Sequence, residues 1–244
     1  MANGTRPQHF IADAAGLEQL CQKLASERVV GLDTESNGFH AYVERLCLVQ
    51  LSTADADYVL DPIALSLQPL VPLLSDPTRE VILHAAEFDV VTLRRELNLV
   101  IGRLFDTHAA AKVLGIARVG LGNLVQDELG IALTEDEQRS DWGQRPLTQQ
   151  QLAYAFADVR HLLALRDTLH KKLTEAGRLR EAEAEFERLR HKEARPRAFD
   201  PEGWMKMKAA RTLDGKGRAV LAELYRVRDN RARDLDRPPF KVLS

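Results

Sequence analysis

Two carboxylates two residues apart close the segment Arg28-Val-Val-Gly-Leu-Asp33-Thr-Glu35. On an extended chain alternate side chains point to one face, so Asp33 and Glu35 can share a single cation. The same pair also suits the place where a buried strand runs out into solvent, and alone it supports both readings. Asp89 follows a short apolar run, Glu80-Val-Ile-Leu-His84, and stands near the start of a helix, where the dipole favours an acidic residue with or without a function. Tyr154 and Asp158 are four apart in Leu152-Ala-Tyr-Ala-Phe-Ala-Asp-Val-Arg-His-Leu-Leu163, on one helix face and off the main apolar stripe. There the alternative is an exposed pair, with Asp158 answered by Arg160 or Arg166. If a strand end, a helix start and a helix face converge at one sheet edge, four acids and a phenol meet. Such a cluster stays charged only with divalent cations, and hard oxygen donors suit Mg2+ or Mn2+ rather than zinc. Two such ions about 3.5 to 4 Å apart serve in-line displacement at phosphorus, so phosphodiester hydrolysis is the chemistry this set fits.

The elements that must position these residues follow from periodicity. An amphipathic helix spans about Ala15 to Ser26, before a buried strand at Arg28–Asp33. Further strands fall at Leu46–Ser52 and Asp57–Asp61, with hairpin-like spacing that makes the three antiparallel neighbours. A helix ending near Asp76-Pro77, the strand Glu80–His84, a helix from Glu87 to Leu97 and a short strand near Leu104 and Phe105 come next. Asp106 is placed to cap a helix running to about Leu114. Helices at Leu121–Leu129 and from Thr148 to about Glu175 complete the body, the latter opened by a Thr148-x-x-Gln151 pattern that resembles a capping box. Between them lies a polar loop, Glu135 to Pro146. Strands early and helices late predict an α/β body with a mixed sheet flanked by helices.

Beyond Gly177 the character changes. Residues 1–176 hold 16 Lys and Arg against 24 Asp and Glu, whereas residues 177–244 hold 18 against 12. An acidic body with a basic tail points towards nucleic acid, although a solvated helical face has the same composition. The tail reads as a charged helix (Leu179 to about Glu193), a break at Arg195-Pro196 to Pro201, and a last helix from Lys216 to Leu235. The organisation expected is a catalytic domain at 1–176, a helical linker at 177–214 and a further helix at 215–244. At 45% hydrophobic and 29% charged the chain buries a core and lacks the signature of disorder. No apolar run approaches the roughly 20 residues that span a bilayer, and Met1 to Phe10 lacks the build of a signal peptide. With only Cys21 and Cys47, neither a disulfide framework nor a zinc site is expected, and the compartment implied is the reducing cytoplasm.

Asp33-Thr-Glu35, Asp89 within His84-Ala-Ala-Glu-Phe-Asp89, and Tyr154-x-x-x-Asp158 resemble, in order and spacing, the three motifs of the DEDDy 3'-5' exonucleases, in particular the ribonuclease D family. Phe105-Asp-Thr107 and Arg139-Ser-Asp-Trp142 with Arg145-Pro-Leu-Thr148 extend the resemblance over residues 10–244. It implies a ribonuclease H-like core and two-metal hydrolysis from a free 3' end, releasing nucleoside 5'-monophosphates. On that basis Asp33, Glu35 and Asp158 hold one divalent cation, Asp33 and Asp89 the other, and Tyr154 orients the attacking water. A phenol with an ordinary pKa near 10 is a poor base, so its role is positioning. RNA 3' ends, tRNA precursors among them, are the implied substrates.

Several further residues are candidate substrate contacts. Asn37, Phe39 and His40 follow the first motif in a loop that could meet the last base, with Phe39 as a stacking face. His84 is either a hydrogen-bonded core histidine or a contact to the terminal nucleotide, and Arg139 and Trp142 either brace the Tyr154 helix or touch substrate. Gln50 reads as structural. The tail resembles the linker and first helix of the HRDC module of this family, whose remaining helices the 244 residues do not hold; the expectation is a trimmed chain or a last helix packed on the body or on another chain. Two other functions stay open: a DNA 3'-5' exonuclease with the same motifs, or a non-catalytic nucleic-acid-binding module, which the intact five-residue set opposes.

Overall fold

The β-branched and leucine-rich runs of the first half assemble into one six-stranded sheet in a computed structural model that describes residues 6–133, 137–194 and 199–243. The chain divides into two compact units, residues 1–36 with 46–194, and residues 37–45 with 195–244. In the first unit the strands are β1 (Gln8–Ile11), β2 (Val29–Ser36), β3 (Leu46–Ser52), β4 (Asp57–Leu60), β5 (Glu80–Leu83) and β6 (Arg103–Asp106). Their order is β1-β4-β3-β2-β5-β6; β2, β3 and β4 are antiparallel neighbours, and β1, β5 and β6 join them by parallel pairings. β3 and β4 are buried along their whole length and β2 over Val30–Leu32 and at Thr34, which is why the first half of β2 and most of β3 read as apolar runs. β1, which sequence periodicity did not reveal, has three exposed residues out of four and forms only as an edge partner of β4.

The helices of this unit are α1 (Ala14–Leu24), α2 (Val71–Leu74), α3 (Glu87–Leu97), α4 (Thr107–Val113), α5 (Leu121–Leu129), α6 (Gln149–Arg160), α7 (Leu162–Glu175) and α8 (Leu179–Arg190). Capping chemistry sets several starts: Asp13 accepts from Gly16 N, Asp106 from Ala109 N, and Thr148 and Gln151 form a reciprocal capping box. The single helix expected from Thr148 to Glu175 is two. His161, with φ −105° and ψ 0°, ends α6 and turns the chain into α7. The turn lets α7 lie directly on β2, where a Cβ on Gly31 would meet Leu162 Cβ at 3.2 Å, so any larger residue there would require Leu162 to shift. Ala182, Phe186 and Leu189 of α8 enter the main core, which carries the first unit past the expected boundary at 176.

The second unit is built on α9 (Gly215–Asp234), capped by Asp214. The segment 37–45 docks on it: Tyr42 Oη donates to Asp229, Arg233 Nη2 lies 3.0 Å from the same carboxylate, and Tyr42 N donates to Asp236. Phe199 stacks on Tyr225. Part of the apolar side expected to need cover on this last helix, Val220, Leu224 and Val227, is exposed. The Arg195-Pro196 break lies outside the described residues, as do Glu135 and Asp136 of the polar loop.

Candidate active site

β2 stays extended through Ser36, so Asp33 and Glu35 both lie in the sheet, opposite Gln50 and Leu48 of β3, with an irregularity in register just after Glu35. A period of two sends both acids to one face, and α6 crosses the strands to bring Asp158 to them. One carboxylate oxygen from each of Asp33, Glu35 and Asp158 lies within 4.8 Å of the others. Asp89 stands in the first turn of α3 and is buried. It lines the same cleft, and the hydroxyl of Thr34, between the two β2 acids, donates to its carboxylate. Tyr154, one turn before Asp158, hydrogen-bonds that residue. The structure thus brings together all five residues expected from the motifs, in a cleft of about 540 Å³. Of the arginines weighed as partners for Asp158, Arg160 pairs with Asp57, and Arg166 with Glu80 and Asp167.

The electrostatics follow from burial and like charge. The Asp33 carboxyl is pushed well above its usual range by burial, then by the charges of Asp89, Asp158 and Glu35. Glu35 is raised to about 9 by burial and by Asp158 and Asp89. Asp89 is raised to about 6 by burial, which the Thr34 hydrogen bond opposes. Burial and the same acids push the Tyr154 phenol up as well, so its hydroxyl keeps its proton. His84 moves the other way, down to about 4, through burial and the adjacent His108. A set of hard oxygen donors whose charges oppose one another is one that a divalent cation fits.

Two supports hold the set. Asp106 caps α4 and also accepts from Ala86 N at 2.7 Å and Ala85 N at 3.3 Å, fixing the turn between β5 and α3 that carries His84 and Asp89. Ala85 in that turn has φ +56°, a left-handed conformation that alanine rarely adopts. On the other side Trp142, 1% exposed, packs 5.9 Å from the Tyr154 ring. Arg145 binds Asp61 through Nε and Nη2 and reaches the carbonyls of Cys47 and Trp142. Of the two roles open to Trp142, its burial permits only the brace.

The secondary candidates separate in the same way. His84 lines the cleft while its Nδ1 bonds Thr107, so it is hydrogen-bonded and also accessible to a ligand. Asn37, Phe39 and His40 fall in the second unit, where Asn37 Oδ1 accepts from Arg45 N and Phe39 packs edge-on against Phe240. Their loop follows Tyr42 to α9, which local sequence does not announce. Arg139 is exposed beside Gln138, and it is Gln138 that lines the cleft. Sequence reasoning also missed Phe88 and His108. Phe88, 48% exposed, was detectable as an aromatic residue one position before Asp89 and off the buried face of α3. His108 carried no signal.

The fold and the acidic cleft define a class: the chain matches the 3'-5' exonuclease family over residues 8–174 and belongs to it. Within that class the resemblance is to ribonuclease D, for a ribonuclease D of Xanthomonas oryzae pv. oryzae is 35% identical over 240 residues, 97% of this chain and 65% of that protein. The chain therefore spans slightly less than two thirds of that relative's length. Among solved structures, the catalytic core of RRP6 from Trypanosoma brucei superposes with a TM-score of 0.89 at 27% identity, covering 98% of this chain and 68% of that one. Escherichia coli RNase D, described as an exoribonuclease involved in structured RNA processing, gives a TM-score of 0.75 at 28% identity, over 96% of this chain and 63% of that one. The ribonuclease H-like fold expected from the motifs is thus the fold observed.

Proposed function

We propose that this chain is a metal-dependent 3'-5' exoribonuclease that shortens RNA from a free 3' end and releases nucleoside 5'-monophosphates. The observation that carries the reading is the convergence of Asp33, Glu35 and Asp158 on a point that three carboxylate oxygens can share. Those three would hold one divalent cation, Mg2+ or Mn2+, and Asp33 with Asp89 a second. When bound, such ions supply charge for the reacting phosphate and make water a nucleophile at neutral pH. Tyr154, whose phenol stays protonated, orients that water by a hydrogen bond and does not deprotonate it. Phe88, exposed in the first turn of α3, offers a stacking face for the terminal base.

RNA is favoured over DNA by the relatives, which are named as ribonucleases and exosome exonucleases; tRNA precursors are one substrate among such 3' ends. Among the described residues no helix is long and apolar enough to cross a membrane, and neither Cys21 nor Cys47 is in a disulfide; the cytoplasm is the compartment we propose. The test uses 5'-labelled single-stranded RNA and DNA of one sequence with Mg2+ or Mn2+. The expected result is a one-nucleotide ladder on RNA, abolished by chelation and by Asp33→Ala. A ladder preferring DNA would promote the deoxyribonuclease reading, and none on either polymer would sink catalysis altogether.

A further inference from the structure

His84 lies at the end of β5 on the wall of the acidic cleft, and one edge of its ring is already committed. Its Nδ1 is 2.9 Å from Thr107 Oγ1, and that hydroxyl is 3.2 Å from the carbonyl oxygen of Leu83. A carbonyl can only accept, so the single hydroxyl proton of Thr107 goes to Leu83, and Thr107 must accept from Nδ1. Thr107 is fully buried, which shields the arrangement from water. In neutral imidazole the proton on Nδ1 leaves Nε2 bare, and His84 is neutral at pH 7 because burial and His108 hold it far below that value. Among the described residues Nε2 has no hydrogen-bond partner, while the ring lines the cleft. The cleft therefore holds a fixed acceptor beside its carboxylates.

A bare acceptor discriminates by chemistry. It gains nothing from a phosphate oxygen, which has no proton to give, but it receives a hydroxyl or an amino group. Base amino groups differ from one nucleotide to the next, and an enzyme that removes every residue in turn needs a donor present on all of them. We propose that His84 Nε2 accepts a hydrogen bond from a hydroxyl of the 3'-terminal ribose, making His84 a sugar-recognising residue. The inference rests on the exoribonuclease reading above. If the bound group is the 2'-hydroxyl, His84 also supplies what the carboxylates and Tyr154 lack, a contact that differs between the sugars of RNA and DNA.

The test compares three 5'-labelled RNA oligonucleotides of one sequence, ending in an ordinary, a 2'-deoxy or a 3'-deoxy nucleotide. Removal of the last residue is followed with Mg2+. The unsubstituted protein should lose roughly three- to tenfold in kcat/KM on one of the two deoxy ends, the worth of one net hydrogen bond, and the affected end identifies which hydroxyl is bound. His84→Asn places an amide where Nδ1 meets Thr107 and nothing where Nε2 stood; it should process the ordinary end and that deoxy end equally. His84→Gln carries a carbonyl towards the Nε2 position and should restore part of the ratio. The inference is overturned if neither deoxy end is disfavoured, or if His84→Asn lowers all rates together with the ratio intact, as a merely structural histidine would. Absence of cleavage on the ordinary RNA would instead overturn the exoribonuclease reading on which the inference depends.

Discussion

The first unit holds two sets of wholly or partly buried carboxylates and treats them in opposite ways. Asp57, Asp61 and Glu80 are each 6% exposed or less and each faces arginine: Arg6 and Arg160 at Asp57, Arg145 at Asp61, Arg166 and Arg103 at Glu80. Asp33, Glu35 and Asp158 face one another and Asp89. Burying a charge is costly unless a partner compensates it; the first set is neutralised by arginines, whereas Asp33 and Glu35 are pushed up by the acids around them. The consequence is visible at single groups. Burial acts to raise Asp61, but the hydrogen bond and charge of Arg145, with the Ile63 and Ala64 amides, together outweigh it and hold the carboxyl below its usual range, whereas nothing comparable offsets the rise at Asp33 and Glu35. A protein able to place arginines beside three buried acids has left another group for a partner from outside.

Removing a neutralising arginine gives the largest expected effect. Arg145→Ala should cost about 2 to 3 kcal/mol, near the lower end of the penalty for stranding a buried charge, since a quarter of the Arg145 side chain already meets water. Urea unfolding at pH 7 measures it. Asp61 has a folded pKa below its unfolded one, so this stability is complete above the unfolded value and is lost as pH falls through the folded value. The difference between the variant and the parent should therefore shrink in acid. An equal loss at all pH values would mean that Arg145 acts through packing and its carbonyl contacts alone.

The two sets also differ in how far local sequence reveals them. Asp33 and Glu35 were legible because strand alternation is local, and Tyr154 with Asp158 because helical spacing is. Their convergence was legible only through the order of the three motifs. The neutralising pairs were not, because Arg145 finds Asp61 across 84 positions and Arg160 finds Asp57 across 103, with nothing at either end to mark the other. The break at His161 has the same character: neither Pro nor Gly signals it, and it serves contacts made elsewhere, Arg160 on Asp57 and Leu162 on Gly31. Segment 37–45 reads as a free loop until Tyr42 meets Asp229, 187 positions on.

Divalent cation should stabilise the second set in a way the first cannot match. In the metal-free protein Glu35 titrates at about 9 and Asp89 at about 6, above their unfolded values. The folded chain then holds protons that the unfolded chain has released. The stability this represents is complete below the unfolded values and is lost as pH rises through the folded ones, from about 4 to about 9, opposite in sign to the Arg145 pair. Mg2+ binds the ionised carboxylates, so it should flatten that slope. At ten times its Kd it should add about 1.4 kcal/mol. Thermal unfolding in chelator and in Mg2+ across this pH range checks both statements, and a midpoint indifferent to Mg2+ at pH 8 would contradict them.

The smallest effect separates the sets most cleanly, because one substitution should act with opposite signs. Asp33→Asn replaces a carboxyl whose pKa is raised by burial and by the neighbouring acids with an amide of the same shape that does not titrate. Without metal at pH 8 it should raise stability by about 1 kcal/mol, because a carboxyl with a raised folded pKa costs stability above its unfolded pKa and the amide does not. The same variant should lose the Mg2+ shift, since the residue common to both proposed cation positions no longer carries a charge. Asp57→Asn leaves Arg6 and Arg160 beside a neutral amide and should move the unfolding midpoint downwards. Were both variants to lose stability, the acids around Asp33 would be compensated within the protein, and the cleft would have no need of a cation.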